Sequence, residues 1–204
     1  MIKNLLFDLG GVIMDIRREN CVAAFTRLGM TNANDLLGEY SQAGVFGDIE
    51  SGKIDATQFR DAIRSMLPAG VTDAQIDAAF NAFLVGIPVD RLRALEKLHH
   101  RYNVYLLSNT NPIMWNSRIA EEFRKDGHDI NYYFDGMVTS FDAKSMKPDE
   151  AIFRKVISDF GIEPSQTLFF DDSSANIEAA RRLGFQGVVV HPGEEFYQAP
   201  ELQK

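Results

Sequence analysis

The chain predicts an α/β fold: a doubly wound parallel sheet with a small all-helical segment inserted after the first strand. Three observations lead there. Short, continuous apolar runs recur along the chain, as strands buried on both faces of a parallel sheet require. Patterns of helical period lie between them, and strand alternating with helix is the mark of doubly wound topology. The stretch from about residue 16 to 86 breaks the alternation, because it has no strand-like run and its apolar residues recur every three or four positions.

In chain order, Ile2 to Phe7 forms the first strand, which stops at Asp8 and the turn Gly10-Gly11. Inside the insertion, Cys21, Phe25 and Leu28 share one helical face. Asp55 with Gln58, and Thr72 with Gln75, stand three apart just ahead of Phe59/Ile63/Leu67 and Ile76/Phe80/Phe83, the spacing of helix N-caps with a reciprocal N3 partner. The insertion ends near Gly86-Ile87-Pro88, dividing the chain into a helical insertion, 16–86, and an α/β core, 1–15 with 87–204. Val89 to His99 is a helix with Leu92, Leu95 and Leu98 spaced by three. Val104 to Leu107 is a strand before Ser108-Asn109, and Met137 to Ser140 is a shorter one. Ala151 to Phe160 is a helix whose approach carries Lys147 and Pro148, with the proline read as its N1 residue. Thr167 to Phe170 is a strand before Asp171-Asp172. Ala175 to Leu183 is a helix closed by Gly184 at C′, and Gly187 to Val190 is the last strand. The tail from Gly193 to Lys204 is weakly patterned, as a loosely held end would be.

Composition narrows the function. The 204 residues are 45% hydrophobic and 25% charged, enough for one large domain or one domain with a small insertion. The 21 Lys and Arg against 29 Asp and Glu give a charge of −8, which repels nucleic acid and anionic membrane, so neither is expected as a partner. Cys21 stands alone, with no disulfide partner and no Cys/His zinc spacing, which suits a reducing, cytoplasmic setting. Met1 to Met14 is apolar but interrupted by Asp8, lacks the features of a signal peptide and is too short to span a bilayer. His99, His100, His128 and His191 show no ligand spacing, and Trp115 reads as a core residue.

Each conspicuous polar cluster follows an apolar strand: Asp8, Ser108-Asn109 and Asp171-Asp172. In a parallel sheet these strand ends share one edge, so residues far apart in sequence converge there. Singly, each has an ordinary reading as a turn or helix cap. Together, three gathered carboxylates repel one another unless a cation sits among them, and oxygen donors in that number suit Mg²⁺. The cation keeps Asp8 ionised and available as a nucleophile. Lys147 adds a positive charge, and the Ser108 hydroxyl with nearby backbone N–H groups suits phosphate oxygens.

With these residues in place, the sequence resembles the haloacid dehalogenase (HAD) superfamily, specifically its phosphatases with a small helical cap. The four motifs read Phe7-Asp8-Leu9-Gly10-Gly11-Val12, Leu107-Ser108-Asn109-Thr110, Lys147-Pro148-Asp149-Glu150-Ala151-Ile152-Phe153 and Phe169-Phe170-Asp171-Asp172-Ser173, with Asn176 and Ala179 beyond the last. The resemblance spans nearly the whole chain, and the sequence is similar to small sugar-phosphate phosphatases of bacterial type, including an α-glucose-1-phosphate phosphatase that also begins Asp-Leu-Gly. The resemblance implies a Mg²⁺-dependent phosphatase acting on a small phosphorylated metabolite as a monomer or homodimer. By that likeness Asp8 is the nucleophile and a magnesium ligand, and the Gly10 carbonyl is a further ligand. Asp172 is the direct ligand of the fourth motif, with Asp171 behind it, although sequence leaves the order of the two open. Ser108 and Asn109 bind phosphate, and Lys147 balances charge.

One departure stands out. Many family phosphatases carry a second Asp two residues after the nucleophile as general acid and base, where this chain has Gly10. Three explanations compete: a good leaving group, a substitute donor such as Asp15 or a water, or low activity in a protein that mainly binds a phosphorylated metabolite. A haloacid dehalogenase is a further alternative, disfavoured by the Asp171-Asp172 pair because that reaction needs no metal. Specificity is expected in the cap, with Arg17 and Arg18 near the first hinge and the segment Gly44 to Lys53, read as a connection between helices, as candidates.

Overall fold

A computed structural model describes residues 1–38 and 42–203. Five strands, β1 (Asn4–Phe7), β4 (Asn103–Ser108), β5 (Gly136–Thr139), β6 (Thr167–Asp171) and β7 (Gln186–Val189), form one parallel sheet in the order β5-β4-β1-β6-β7. Side chains alternate across it. Leu5, Phe7, Leu106 and Phe170 pack into the larger core, while Leu6, Leu107 and Phe169 pack into a second core under the helices Glu150–Phe160 and Ser174–Arg182. Burial on both faces is why these strands read as unbroken apolar runs. With β1 central and successive connections leaving to opposite sides, the crevice beyond its carboxyl end is the place where open α/β sheets bind ligands.

The inserted helices are Arg18–Arg27, Gly44–Glu50, Ala56–Arg64 and Asp73–Asn81, with a short turn at Ala33–Leu36. Both expected capping boxes are present: Asp55 accepts from Gln58 N at 2.8 Å, Thr72 accepts from Gln75 N at 3.3 Å, and each glutamine returns a bond to its cap residue's N–H. Around Phe80 the rings of Phe25, Phe46 and Phe59 pack at centroid separations of 4.9 to 6.3 Å. Such pairs contribute about 0.5–1.5 kcal/mol each beyond their buried area. This aromatic knot gives a short helical segment its own centre while joining the core on one side of the sheet.

Four features differ from the sequence reading. The insertion begins and ends in a two-stranded antiparallel ribbon, β2 (Asp15–Ile16) with β3 (Leu84–Gly86), too short to leave a periodic signal. The segment Gly44 to Lys53 is largely helix rather than connection. Pro148 is not an N1 residue, because the helix starts at Glu150 behind an N-cap at Asp149. The tail is packed rather than loose: Phe196 is buried against the ring of Phe7 at 5.0 Å, and Glu195 pairs with Arg91 at 2.8 Å. A five-residue π-helical turn, Trp115–Ile119, also follows the loop after β4; Trp115 packs on the core as expected. No described helix is long and apolar enough to cross a membrane.

Candidate active site

Asp8 follows the last residue of β1, and its N–H continues the ladder by donating to the Phe170 carbonyl at 2.8 Å. That bond places the carboxyl between β4 and β6. Its Oδ1 accepts from the Leu9 N–H at 2.7 Å and lies 2.7 Å from the Lys147 ammonium, so two donors orient the group.

Lys147 is the hub of the edge. Its side chain is 1% exposed, and its Nζ donates to Asp171 Oδ2 at 2.7 Å and to the Leu107 carbonyl at 3.1 Å besides meeting Asp8. A lone buried ammonium is costly, and here three oxygens from three strand ends satisfy it. Burial pulls its pKa down, but the Asp171 and Asp8 carboxylates more than offset this and hold it above the usual value. The lysine's backbone is held just as tightly, since Asn109 accepts from its N–H at 2.9 Å and donates to its carbonyl at 3.0 Å. Asn109, expected as a phosphate binder, thus spends both ends of its side-chain amide on Lys147. Ser108 ends β4 and lines the cavity beside it. The loop beyond is pinned by Ser140, whose hydroxyl donates to the Thr110 carbonyl and accepts from its N–H, each at 3.0 Å.

The two carboxylates after β6 occupy different settings. Asp171 is fully buried: Oδ2 meets Lys147, while Oδ1 accepts from Ser173 N at 2.8 Å and Asn176 Nδ2 at 2.9 Å. Asp172 is partly exposed and lines the cavity. It also presses on the first loop. Gly11 has φ +75°, and a Cβ built there would stand 2.3 Å from Asp172 Oδ2, so glycine is required by both backbone and space. Oxygens of Asp8, Asp171 and Asp172 all lie within 4.8 Å of one another.

Three carboxylates this close press a proton onto one of them. Burial pushes Asp8 up to about 7 against the pull of Lys147, with the charges of Asp171 and Asp172 adding to the rise. One ammonium does not neutralise the group. A hard divalent cation would, and oxygen-only donors match one.

The carboxylates open onto a cavity of about 250 Å³ between the sheet edge and the insertion. Gly10 and Ser108 line its floor; Phe80, Phe83 and Leu84 line the side belonging to the insertion. Glu50 and Gln42 also reach it, which periodicity did not reveal because their positions depend on how the insertion folds back. Asp15, considered as a substitute proton donor, does not line this cavity; it pairs with Arg91 at 2.7 Å near the ribbon. Arg18 is turned to Asn34 and the Leu37 carbonyl, and Arg17 is exposed over a separate cleft, so neither expected specificity residue lines the cavity.

A nucleophile-type aspartate at the end of a central parallel strand, bridged by a buried lysine to a second strand's aspartate, is the arrangement of haloacid dehalogenase-type hydrolases. The chain matches the haloacid dehalogenase-like hydrolase family over residues 2–184 and belongs to it. It is 37% identical over 198 residues to the D-ribitol-5-phosphate phosphatase of Bacteroides thetaiotaomicron, covering 97% of this chain and 96% of that protein. Among solved structures, a HAD family enzyme of B. thetaiotaomicron in complex with magnesium and inorganic phosphate superposes with TM-score 0.90 at 41% identity, over 96% of this chain and 98% of that one. A predicted HAD-like family hydrolase of Porphyromonas gingivalis follows at TM-score 0.88 and 34% identity, over 95% of this chain and 93% of that one. The L-2-haloacid dehalogenase of Xanthobacter autotrophicus shares the fold alone, at TM-score 0.63 and 19% identity, over 99% of this chain and 80% of that one.

Proposed function

We propose that this chain is a Mg²⁺-dependent phosphatase that hydrolyses a small sugar phosphate or polyol phosphate through a phosphorylated Asp8. The observation that carries the reading is the Lys147 ammonium held at 2.7 Å from both Asp8 and Asp171 beside the cavity that Asp8 and Asp172 line. The relatives that bind magnesium and phosphate or act on D-ribitol 5-phosphate support it. A dehalogenase, which needs no metal, gives no reason to gather three carboxylates.

Asp8 attacks the phosphorus, forming a P–O bond to its carboxylate while the bond to the alcohol oxygen breaks and that oxygen takes up a proton. Water then attacks, releasing inorganic phosphate and restoring the carboxylate. Asp8, Asp172 and the Gly10 carbonyl would hold the metal, with Asp171 oriented behind them by Lys147, Ser173 and Asn176. When bound, the ion supplies positive charge to the phosphoryl oxygens and keeps Asp8 ionised. Lys147 neutralises a further phosphoryl oxygen, and the Ser108 hydroxyl with the N–H groups of its loop binds the others. Asn109 acts by fixing Lys147 and through its main chain. The helical segment 16–86 serves as the cap that excludes water over the core formed by 1–15 and 87–204. A single Cys21, buried and free, supports a reducing, cytoplasmic setting.

The test is release of p-nitrophenol from p-nitrophenyl phosphate, with Mg²⁺ and with EDTA, by the native chain and by Asp8→Asn. That leaving group needs no acid. Turnover should require Mg²⁺ and vanish in the variant while its circular dichroism is unchanged; normal turnover by Asp8→Asn would sink the assignment.

A further inference from the structure

The cavity has a charged end and a second, quieter end on the insertion. Among the described lining residues, Lys147 is the one cation, so nothing on the far wall is suited to a second phosphate or a carboxylate. Most of that wall is apolar, with Phe80, Phe83, Met114 and Ile119. Two polar side chains interrupt it. Glu50 closes the helix Gly44–Glu50, and burial pushes its carboxyl up to about 8. Gln42 Oε1 is buried without a hydrogen-bond partner among the described residues. Its Nε2 makes only a long contact, 3.5 Å, with the Gly38 carbonyl.

A polar atom left without a partner in an apolar wall, as Gln42 Oε1 is among the described residues, is costly to keep, which is why buried ones normally find partners. Glu50 is also placed with care. Two residues on, Gly52 lies so close to the main chain of Phe141 that a Cβ there would stand 2.1 Å from the Phe141 oxygen, anchoring this turn of the insertion directly to the core. The cationic neighbour Arg18, which touches the electrostatics of nearby Cys21 as Glu50 does, is committed to Asn34 and Leu37.

We propose that Glu50 and Gln42 form a hydroxyl-binding subsite that selects phosphomonoesters whose alcohol part is neutral and polyhydroxylated. Glu50 and Gln42 each offer a donor or an acceptor to a substrate hydroxyl, while the surrounding rings and methionines cover its carbon chain. This rests on the phosphatase reading above and assigns the residues that recognise the alcohol part of its substrate.

The test compares D-ribitol 5-phosphate with pentyl phosphate in the presence of Mg²⁺. Both expel a primary alkoxide, so a difference between them reports recognition of hydroxyls rather than the proton delivered to the leaving group. The native chain should prefer the polyol ester, and Glu50→Leu should collapse the ratio of kcat/KM values about ten- to hundredfold, the range expected when a good hydrogen bond to substrate is lost. Glu50→Gln, which keeps a donor and an acceptor, should retain most of the ratio. Ligand-free Glu50→Leu should melt no lower than the native chain, because it removes a carboxyl whose burial is costly. An unchanged ratio, an equal fall on both esters, or a native chain with no preference for the polyol overturns the subsite. Magnesium-dependent turnover of p-nitrophenyl phosphate in the same preparations separates that result from failure of the phosphatase reading: if it persists the phosphatase stands without the subsite, and if it is absent both fall.

Discussion

Gly11→Ala tests whether Asp172 is set for metal by the loop that carries the nucleophile. Gly11 has φ +75°, where a residue with a Cβ costs about 1–2 kcal/mol before any clash. The added Cβ would stand 2.3 Å from Asp172 Oδ2, 2.7 Å from its Cγ and 3.1 Å from its Cβ. Relief to ordinary contact needs a shift of about 1 Å, either of the carboxylate away from Asp8 or of the whole Gly10-Gly11 turn. Both movements spoil the oxygen cluster, in which Asp8, Asp171 and Asp172 lie within 4.8 Å of one another. Disturbing groups that merely orient metal ligands costs about 10- to 100-fold in affinity, and here a proposed ligand is itself displaced. The expected result is a rise of at least tenfold in the Mg²⁺ concentration that half-activates p-nitrophenyl phosphate hydrolysis. Saturating Mg²⁺ should recover part of the rate. An unchanged Mg²⁺ dependence in a folded variant would refute the claim that this contact sets the ligand.

Three further outcomes are expected. Lys147→Met keeps volume but leaves Asp8 and Asp171 buried without their cation; urea unfolding in EDTA should show a loss of about 3–5 kcal/mol and kcat/KM should fall about 10²- to 10³-fold, whereas an unchanged kcat/KM would remove Lys147 from the site. Gly10→Asp should raise turnover of alkyl phosphates at least tenfold and affect p-nitrophenyl phosphate far less; its φ is not left-handed, and a Cβ there meets only Ile16 carbons at 3.4 and 3.5 Å, so a null result on alkyl esters means the proton already arrives by another route. Stability of the metal-free chain should fall as pH rises. Asp8 and Glu50 hold their protons up to about 7 and about 8 in the folded chain, above their unfolded values, so their contribution is fully present near pH ~4 and is lost as pH climbs through those values. Melting temperatures in EDTA should therefore decline from about pH 5 to 8 and Mg²⁺ should remove the Asp8 share; a metal-free melting temperature that rises over this range contradicts the burial of these carboxyls.

The sheet was legible because its central strands β4, β1 and β6 are buried on both faces and carry uninterrupted apolar runs, each closed by a polar residue that the topology sends to one edge. The capping boxes at Asp55 and Thr72 were legible because they are local, three residues apart. What sequence did not display was geometry between segments. Asn109 stands where a phosphate binder is expected, yet its side chain serves the backbone of Lys147, 38 positions away. Asp171 and Asp172 are adjacent and chemically alike, and only the packing of Lys147, Ser173 and Asn176 distinguishes them. Glu50 reads as one more helix-surface acid until the turn at Gly52 is seen lying against Phe141. The tail is anchored by Phe196, Ala199 and Leu202 with the ion pair of Glu195 to Arg91, too sparse to make a periodic pattern.

The ribbon of β2 and β3, where Asp15 stands opposite Gly86, brings the two ends of the insertion side by side. Seen from the sheet, the whole helical segment is therefore a single hairpin loop, and closing a loop grows only logarithmically more costly with its length. The pairings that set the register of the five-stranded sheet all lie outside that loop, so exchanging what lies between those two strands should leave the register in place. One end of the ribbon is riveted as well: the Ile87 N–H donates at 2.8 Å to Glu122, a buried carboxylate that also pairs with Arg118 and Lys125. Chimeras spliced at Asp15 and Gly86 should accordingly inherit their chemistry from one parent and their choice of alcohol from the other.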